Sequence, residues 1–437
     1  MQITIIGTGY VGIVAAVCLA KLGHNVTAMD RESVIQSLQS NKAHVWEPGL
    51  QELLTECNEE GNLHFDADMA SATANADALL IAVGTPTRAD GHTDLSQIEN
   101  VLEQLKQSGN CPPLVIVKST VPVGTCDELE ANLHGAGLRA DVVFNPEFLR
   151  QGSAINDFMY PDRIVFGCQS RHSEIMLRQI YQGIDAPIQV CDRRSAELIK
   201  YASNTFLAMK ISFANMMADL CEGYGADIRQ VMKGVGTDRR IGPHFLQAGV
   251  GYGGSCFSKD LQSLLTSGKV IGRSLPLLEA TAQINDQRIP QLVVKLISLW
   301  ENPNGKRLGV LGISFKPNTN DVRDAPFLTL LKLCQHHRID VHAYDPVVQQ
   351  VAFEGVTVAD SPYEMAAHSD AIILMTEWPQ FVELDWVRMV QLMRQSILLD
   401  GRNVLSDEVV AQLMELDGVT YVPVGRPVEQ SVEQRVY

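Results

Sequence analysis

The feature that most constrains the fold of this chain is a glycine-rich turn within its first twelve residues. The turn reads Gly7-Thr8-Gly9-Tyr10-Val11-Gly12. A strand-length apolar run precedes it, at residues 3–6, and a helical pattern follows it over residues 13–22. Glycines at these spacings permit a tight turn and let the backbone approach a pyrophosphate at the positive end of a helix.

Asp30 ends the next predicted strand, where a carboxylate can accept hydrogen bonds from adenosine ribose hydroxyls. The order strand, glycines, helix, strand and acid therefore predicts a dinucleotide site. Because Asp30 would repel a 2′-phosphate, the site favours NAD over NADP.

Strand-length apolar runs alternate with amphipathic helical stretches along the first part of the chain, which is typical of a parallel doubly wound α/β sheet. The predicted strands of this part are residues 3–6, 25–29, 78–83, 114–118 and 141–144. A second α/β pattern has predicted strands at residues 308–313, 340–344, 371–375 and 397–400. This second pattern has no GxGxxG turn, so we expect it to be built like a nucleotide site without a dinucleotide fingerprint.

Between the two patterns, residues 196–221 form an apolar-rich stretch without Pro or Gly, which predicts a long connecting helix. Further helices are expected to about residue 299, followed by a linker at residues 301–305. We therefore predict an N-terminal Rossmann domain at 1–194, a central helical domain at 195–300 and a second Rossmann-like α/β domain at 301–437. The central helix has more apolar residues than one packed stripe needs, so we expect a homodimer built around it, although burial inside one subunit would give the same pattern.

The composition argues against several classes of protein. The chain has 35 Lys and Arg residues and 51 Asp and Glu residues, which gives a net charge of −16. The sequence also has no basic stripe to offset this charge, so nucleic acid is not an expected partner. No apolar run is long enough to cross a bilayer and no secretory leader is recognisable, so we expect a cytoplasmic protein with no membrane partner. The nine cysteines are expected to be reduced thiols in the cytoplasm. We assign no metal site.

One cysteine has unusual surroundings. Four glycines occupy six positions in residues 249–254, so the backbone there must approach another group closely or adopt positive φ. Cys256 follows, with Lys259 and a predicted helix start nearby, and both favour a nucleophilic thiolate. The other eight cysteines are predicted to be buried and structural.

A nicotinamide site combined with a reactive thiol suggests a four-electron oxidation of an alcohol to an acid. Hydride removal turns the alcohol into an aldehyde, and a thiolate then adds to give a thiohemiacetal. A second hydride removal gives a thioester, and water releases the acid. This chemistry predicts that two NAD⁺ are used in succession for each substrate molecule.

Further motifs lie in order along nearly the whole chain. They are Val83-Gly84-Thr85-Pro86, residues 118–125, 145–150, 161–165, 197–204 and 249–260, Gly312 to Pro317, and Asp321-Val322-Arg323. Together they resemble the UDP-glucose/GDP-mannose dehydrogenase family, and within it the branch that acts on UDP-glucose. The resemblance implies NAD as cofactor, UDP-glucose as substrate and a C-terminal domain that binds the UDP-sugar.

The resemblance also implies roles for individual residues. Those matching the family's catalytic groups are Cys256, Lys200, Asn204, Asp260, Glu147 and Thr120. Cys256 matches the covalent nucleophile, and Lys200 and Asn204, four residues apart on one helix face, match the groups that stabilise the oxyanion. Asp260 matches a carboxylate that handles protons with a water or with Lys200, and Glu147 and Thr120 match residues that position the hydrolytic water. The group that removes the first proton stays open.

Two further sets match ligand contacts. The substrate set is Phe148, Leu149, Arg240, Tyr252, Gly253, Lys316 and Arg402. The cofactor set is Gly7, Gly9, Tyr10, Val11, Gly12, Asp30, Thr85, Thr120, Gln151, Lys259 and Arg323. Arg240 is expected to reach across from a neighbouring subunit, and with Lys316 and Arg402 it would supply the local positive charge that a diphosphate requires.

The chain departs from the family pattern at four positions. Gln151 replaces a usual Glu, Ile35 stands where a cation near the adenosine ribose is common, Ser258 replaces Pro, and Asn320 replaces Asp. None of these changes removes Cys256, Lys200, Asn204 or Asp260, so an active enzyme is expected.

Three other functions are considered. The first is a family enzyme acting on GDP-mannose or a UDP-N-acetylhexosamine. The second is a two-electron hydroxyacid or hydroxyacyl dehydrogenase, which needs no reactive cysteine. The third is a non-catalytic protein that binds a dinucleotide or nucleotide sugar.

Overall fold

The computed structural model describes residues 1–300, 302–349 and 353–431, so Glu301, the first residue of the predicted linker, lies outside the described residues. The chain divides into two compact units. The first comprises Met1–Ser203 and Gln262–Arg273, and the second comprises Asn204–Leu261 and Ser274–Tyr437.

The first unit contains an eight-stranded sheet with the strand order β3-β2-β1-β4-β5-β6-β7-β8. Its strands are β1 Gln2–Ile6, β2 Asn25–Met29, β3 Leu63–Asp66, β4 Ala78–Ile81, β5 Leu114–Val117, β6 Asp141–Phe144, β7 Ile164–Gly167 and β8 Ile188–Cys191. All neighbouring strands are parallel except β6 and β7. The direction of winding reverses between β1 and β4, which is where open α/β sheets bind ligands.

Apolar side chains cover both faces of this sheet. Ile3 and Ile5 of β1 point into one core cluster, whereas Ile6 belongs to a second cluster with Leu79 and Ile81 of β4. A sheet buried on both faces needs continuous apolar strands, which explains why the central strands were recognisable in the sequence.

The helices of the first unit flank the sheet. They are α1 Tyr10–Lys21, α2 Glu32–Gln39, α3 Leu50–Glu60, α4 Met69–Thr73, α5 Ser96–Ser108, α6 Thr125–Gly135, α7 Ala154–Met159 and α8 Arg171–Ile180. Next come α9 Arg193–Tyr224, α10 Ile228–Gly236, α11 Phe257–Val270 and α12 Pro276–Trp300.

The predicted long helix is confirmed as α9, which is 32 residues long and extends beyond the predicted range at both ends. At its start the Asp192 carboxylate accepts a hydrogen bond from the backbone N–H of Ser195 at 2.9 Å, which satisfies one of the unpaired first-turn donors. Gly225 follows the helix with a φ of +70°, a left-handed conformation that commonly ends helices.

The second unit contains a seven-stranded sheet with the order β11-β10-β9-β12-β13-β14-β15, parallel except for the β14–β15 pair. Its strands are β9 Arg307–Leu311, β10 Asp340–Tyr344, β11 Val356–Val358, β12 Ala371–Leu374, β13 Ile397–Asp400, β14 Thr420–Pro423 and β15 Glu429–Gln430. Its remaining helices are α13 Pro326–His336, α14 Pro362–Ala366, α15 Pro379–Val382, α16 Trp386–Leu392 and α17 Asp407–Met414. The predicted second Rossmann-like sheet is thus confirmed. Within the described part of the chain, no helix has the length and apolar character needed to cross a membrane.

The turn after β9 is held by Asp345, which directly follows β10. The Asp345 Oδ2 atom accepts hydrogen bonds from the backbone N–H groups of Ile313 and Ser314 at 2.9 and 3.0 Å, and from the Ser314 hydroxyl at 2.8 Å. The indole N–H of Trp378 donates to the same oxygen at 3.3 Å. Asp345 is only 2% exposed, so its loss would leave these donors buried and unsatisfied.

We expect Asp345→Ala to destabilise the protein by about 3 kcal/mol, because several buried donors lose a charged acceptor. Scanning calorimetry should show a lower midpoint of thermal unfolding. The exposed Asp360 provides the control, since Asp360→Ala should leave the midpoint unchanged. Equal midpoints for both variants would contradict this account of the turn.

Candidate active site

The glycines of the fingerprint turn have different surroundings in the first unit. Gly7 has a φ of +86°, which favours glycine, and a Cβ on Gly12 would come within 1.8 Å of the Gly7 carbonyl oxygen. A Cβ on Gly9, in contrast, would meet no atom of the described residues within 4 Å. Gly7 and Gly12 therefore allow the turn to close, whereas the space over Gly9 allows a ligand to approach the backbone.

Asp30 lies beside this turn, as predicted. Its Oδ2 atom accepts hydrogen bonds from the backbone N–H and the hydroxyl of Thr8, at 2.7 and 2.9 Å. Its Oδ1 atom accepts the backbone N–H of Arg31 at 2.8 Å. A carboxylate has about four acceptor positions, so one remains for a ribose hydroxyl.

The cation beside Asp30 is Arg31, whose Nε atom lies 3.8 Å from the carboxylate. Ile35 is 2% exposed and packs inside the unit. The Ile35 position therefore contributes to packing, and Arg31 is the basic residue that can face a ribose.

Glu147 and Lys200 form a buried ion pair in the first unit. The Lys200 Nζ atom donates to the Glu147 Oε1 atom and to the Glu147 carbonyl oxygen, both at 2.8 Å. The backbone N–H of Leu149 donates to Glu147 Oε2 at 2.6 Å. Burial alone would raise the pKa of Glu147, but attraction to Lys200 and these hydrogen bonds outweigh it, so the pKa is lowered and the carboxylate stays ionised.

Thr85 and Thr120 are also brought together, because the Thr85 hydroxyl donates to the Thr120 carbonyl oxygen at 2.8 Å. Tyr10 and Val11 begin α1, and Gln151 precedes α7 by three residues. These predicted cofactor residues therefore all belong to loops or helix starts of the first unit.

Two cations near Glu147 were not predicted as site residues. Lys118 is 4% exposed, and its Nζ atom donates to Asn145 Oδ1 at 3.0 Å and to the Tyr181 hydroxyl at 3.1 Å. The Arg163 guanidinium lies 3.7 Å from the centroid of the Phe148 ring, and burial lowers its pKa. A basic residue directly beside a fully apolar strand is the sequence signal that could have identified both.

The glycine loop of the second unit passes close to other segments, as predicted. A Cβ added at Gly249 would lie 2.6 Å from the Gly401 carbonyl oxygen, and one at Gly253 would lie 2.4 Å from the Asp324 carbonyl oxygen. At Gly251 and Gly254 the added Cβ would lie 2.6 Å from the Asn285 side chain and 2.7 Å from the Phe315 ring. Gly251 and Gly254 also have φ angles of +94° and +82°. Larger residues would therefore displace the loop that leads to Cys256.

Cys256 is exposed and immediately precedes α11. Its carbonyl oxygen accepts the first helical hydrogen bond, from the Asp260 N–H at 2.9 Å, so the thiol is at the positive end of the helix. Hydrogen bonds to Asp321, and in smaller part the charge of a Cys256 thiolate, raise the pKa of Arg323. The helix start and Arg323 therefore both favour negative charge on this sulfur. Six of the other cysteines are buried, and Cys111 and Cys191 are half-buried.

Asp260 is the centre of a compact polar cluster in the second unit. Its Oδ2 atom accepts a hydrogen bond from the Asn204 amide at 2.6 Å, and its Oδ1 atom accepts one from Lys259 Nζ at 2.6 Å. The carboxylate is 1% exposed. Because an amide nitrogen has two hydrogens, Asn204 keeps one for an oxyanion.

The predicted substrate cations have different environments. The Arg402 guanidinium donates to the carbonyl oxygens of Met375 at 2.9 Å and Gly251 at 3.2 Å, so it supports the glycine loop, and it also lines a cavity of about 540 Å³. Arg240 is paired with Asp238 at 2.6 Å and its side chain is 89% exposed. Lys316 lies 5.9 Å from the centroid of the Phe315 ring.

Tyr252 and Gly253 of the substrate set lie in the glycine loop that precedes Cys256. Tyr252 is buried, its backbone N–H donates to Asn285 Oδ1 at 2.8 Å, and Gly253 follows it. Burial raises the pKa of Tyr252, so its hydroxyl is a hydrogen-bond donor at neutral pH.

Comparison with known proteins gives a consistent result. Models of the UDP-glucose/GDP-mannose dehydrogenase family match residues 1–185 with its NAD binding domain, 194–287 with its central domain and 309–407 with its UDP binding domain. The chain is 42% identical to a UDP-glucose 6-dehydrogenase of Rhizobium meliloti, covering 98% of this chain and all of that protein.

Solved structures are similar over the same length. A UDP-glucose dehydrogenase from Pyrobaculum islandicum has a TM-score of 0.89 at 36% identity, covering 97% of this chain and 98% of that one. A UDP-D-ManNAc dehydrogenase from Pyrococcus horikoshii has a TM-score of 0.86 at 26% identity, covering 98% and 99% of the two chains.

Two glycine substitutions should separate folding from cofactor binding. We expect Gly12→Ala to lower the midpoint of thermal unfolding, because its Cβ cannot fit against Gly7. Gly9 has a φ of −57°, which alanine adopts without strain, so Gly9→Ala should fold normally but bind NAD⁺ more weakly by about tenfold or more. Calorimetry of unfolding and of NAD⁺ titration checks both, and normal NAD⁺ affinity in Gly9→Ala would contradict the assignment.

Proposed function

The chain belongs to the UDP-glucose/GDP-mannose dehydrogenase family, and on that premise we propose that it oxidises UDP-glucose to UDP-glucuronate with two NAD⁺ per sugar. The observation that carries this proposal is the exposed Cys256 thiol, set at a helix start after a glycine loop and next to Arg323. A two-electron dehydrogenase needs no such nucleophile.

The residues of the fingerprint turn fit NAD. The open space over Gly9 suits a pyrophosphate, and the acceptor position left on Asp30 suits a ribose hydroxyl. Bound there, the cofactor supplies the acceptor for each hydride. We assign the remaining cofactor contacts to the predicted set, including Thr85, Thr120 and Gln151.

The thiol chemistry follows from a simple balance of bonds. After the first oxidation, Cys256 Sγ adds to the aldehyde carbon and the aldehyde oxygen takes up a proton, giving a thiohemiacetal. Loss of a hydride and of the hydroxyl proton gives the thioester. Water then adds to the carbonyl carbon and the C–S bond breaks, which releases the carboxylate, the Cys256 thiolate and the two protons of the water.

Each proposed catalytic role agrees with the local contacts. Glu147 is held ionised, so it can accept a proton from the attacking water. Lys200 and the second amide hydrogen of Asn204 stabilise negative charge on the reacting oxygen. Asp260, which accepts hydrogen bonds from Asn204 and Lys259, orients the Asn204 amide.

For the substrate, we favour UDP-glucose over GDP-mannose and the UDP-N-acetylhexosamines. Identity to the Rhizobium meliloti UDP-glucose 6-dehydrogenase is 42%, compared with 26% to the Pyrococcus horikoshii enzyme named for UDP-D-ManNAc. We assign Phe148, Leu149, Tyr252 and Gly253 as substrate contacts, and Lys316 and Arg402 as the cations that bind the diphosphate.

We further propose the three-part organisation 1–194, 195–300 and 301–437, which agrees with the three matched family domains. A cytoplasmic location is proposed as well, because catalysis by Cys256 requires a reduced thiol.

A homodimer is proposed from the apolar side chains on α9. Those left exposed at helical spacing are Phe206, Phe213, Met216, Leu220 and Tyr224, with exposed fractions of 58, 43, 40, 48 and 87%. Such a contiguous stripe is typical of a protein–protein interface. Arg240, which points outward, is the residue we expect to reach the neighbouring subunit.

The stoichiometry of NADH formation tests the reaction. We expect two NADH for each UDP-glucose consumed, and little or no oxidation of GDP-mannose or UDP-N-acetylhexosamines in the same assay. Cys256→Ser should abolish acid formation, whereas Cys191→Ser, at a half-buried thiol, should not. One NADH per sugar, or acid formation by Cys256→Ser, would reject the thioester route.

Light scattering tests the dimer. Phe213→Asp places a charge in the exposed stripe of α9, so we expect it to shift the measured mass from two chains towards one. Ile175→Asp, at an exposed apolar position on α8, is the control and should leave the mass unchanged. A wild-type mass of one chain would contradict the proposal directly.

A further inference from the structure

Glu47 is a buried carboxylate that none of the motifs above includes. It lies between α2 and α3, next to Trp46, and is 6% exposed. A buried carboxylate is costly unless several donors satisfy it, so its partners indicate what it does.

The donors to Glu47 come from two distant segments of the first unit. One is the hydroxyl of Tyr10, the first residue of α1 in the fingerprint turn. The others are the backbone N–H groups of Gly152, at 2.6 Å from Oε2, and Ala154, at 2.7 Å from Oε1. Glu47 thus fastens the fingerprint turn to the loop that contains Gln151.

The environment of Tyr10 agrees with a fixed position. Its burial first, and then its hydrogen bond to Glu47, raise the pKa of its hydroxyl, so Tyr10 is a donor at all physiological pH values. Ala154 begins α7, so the same carboxylate also satisfies a first-turn N–H of that helix.

We propose that Glu47 is a positioning residue for the dinucleotide, which holds Tyr10 and residues 151–154 in the arrangement that receives NAD⁺. The inference rests on the proposed function only in taking these two segments as cofactor contacts. Without Glu47, Tyr10 loses its acceptor and the backbone of residues 152–154 is released. The loss is therefore expected in NAD⁺ affinity.

Two substitutions of Glu47 give a graded test. In Glu47→Gln the side chain keeps one acceptor oxygen, whereas in Glu47→Ala it keeps none. We expect the NAD⁺ dissociation constant to rise by about tenfold in the glutamine variant and further in the alanine variant. The measurements are calorimetric titration with NAD⁺ and the KM values for NAD⁺ and UDP-glucose. The KM for NAD⁺ should rise much more than the KM for UDP-glucose.

Two control variants separate positioning from stability. Glu52→Gln, at an exposed position on α3, should change neither NAD⁺ affinity nor thermal midpoint. Glu130→Gln weakens the ion pair with Arg193, 2.8 Å long, and should lower the midpoint while NAD⁺ affinity stays normal.

A purely structural role is the result that would overturn the inference. In that case both Glu47 variants would melt earlier and still bind NAD⁺ with a dissociation constant within about twofold of the wild-type value. An equal rise in both KM values would also reject it. The wild-type protein in the same assay keeps the two proposals apart: if it does not oxidise UDP-glucose but binds NAD⁺ in a Glu47-dependent way, only the reaction is wrong.

Discussion

Both sheets depend on the same interaction, in which a carboxylate after the second strand accepts hydrogen bonds from the turn after the first. Asp30 holds Thr8 in the first unit, and Asp345 holds Ile313 and Ser314 in the second. A parallel sheet brings these strand ends together at one edge, and the carboxylate fixes the turn there.

The two turns differ in the hydrogen-bond acceptor positions and the space that they leave for a ligand. Asp30 keeps an acceptor position, and the space above Gly9 is open. Both oxygens of Asp345 are occupied, because Oδ2 also accepts the Trp378 indole N–H and Oδ1 accepts the backbone N–H groups of Val347 and Val348. One turn can thus receive a dinucleotide, whereas the other is closed by its own side chains. This difference agrees with the fingerprint being present in only one half of the sequence.

Much of this architecture could be predicted because central parallel strands are apolar on both faces. The predicted strands at residues 25–29, 141–144 and 340–344 coincide with the observed ones. The strands that were missed are short or lie towards the sheet edges. They are β3, β7, β8, β11, β14 and β15. In β8 no residue is fully buried, so the sequence has no apolar run to indicate it.

The site residues were predictable only where chemistry and spacing occur together in one stretch. The glycine loop and Cys256 form such a stretch, and its predicted close approach to other backbone is confirmed. Contacts between distant positions have no such signature. Lys118 and Tyr181 are 63 residues apart, and Glu47 and Ala154 are 107 apart. Arg402 was expected to face a diphosphate, and its bonds to three backbone carbonyls could not be inferred from composition.

The exposure of Cys256 has a consequence for the life of the protein in a cell. An exposed sulfur is within reach of peroxide, and a thiolate is the form that peroxide oxidises fastest. The remaining cysteines are buried or half-buried. Oxidative damage should therefore concentrate on the Cys256 sulfur. Formation of the acid sugar would then slow as the surroundings of the protein become more oxidising.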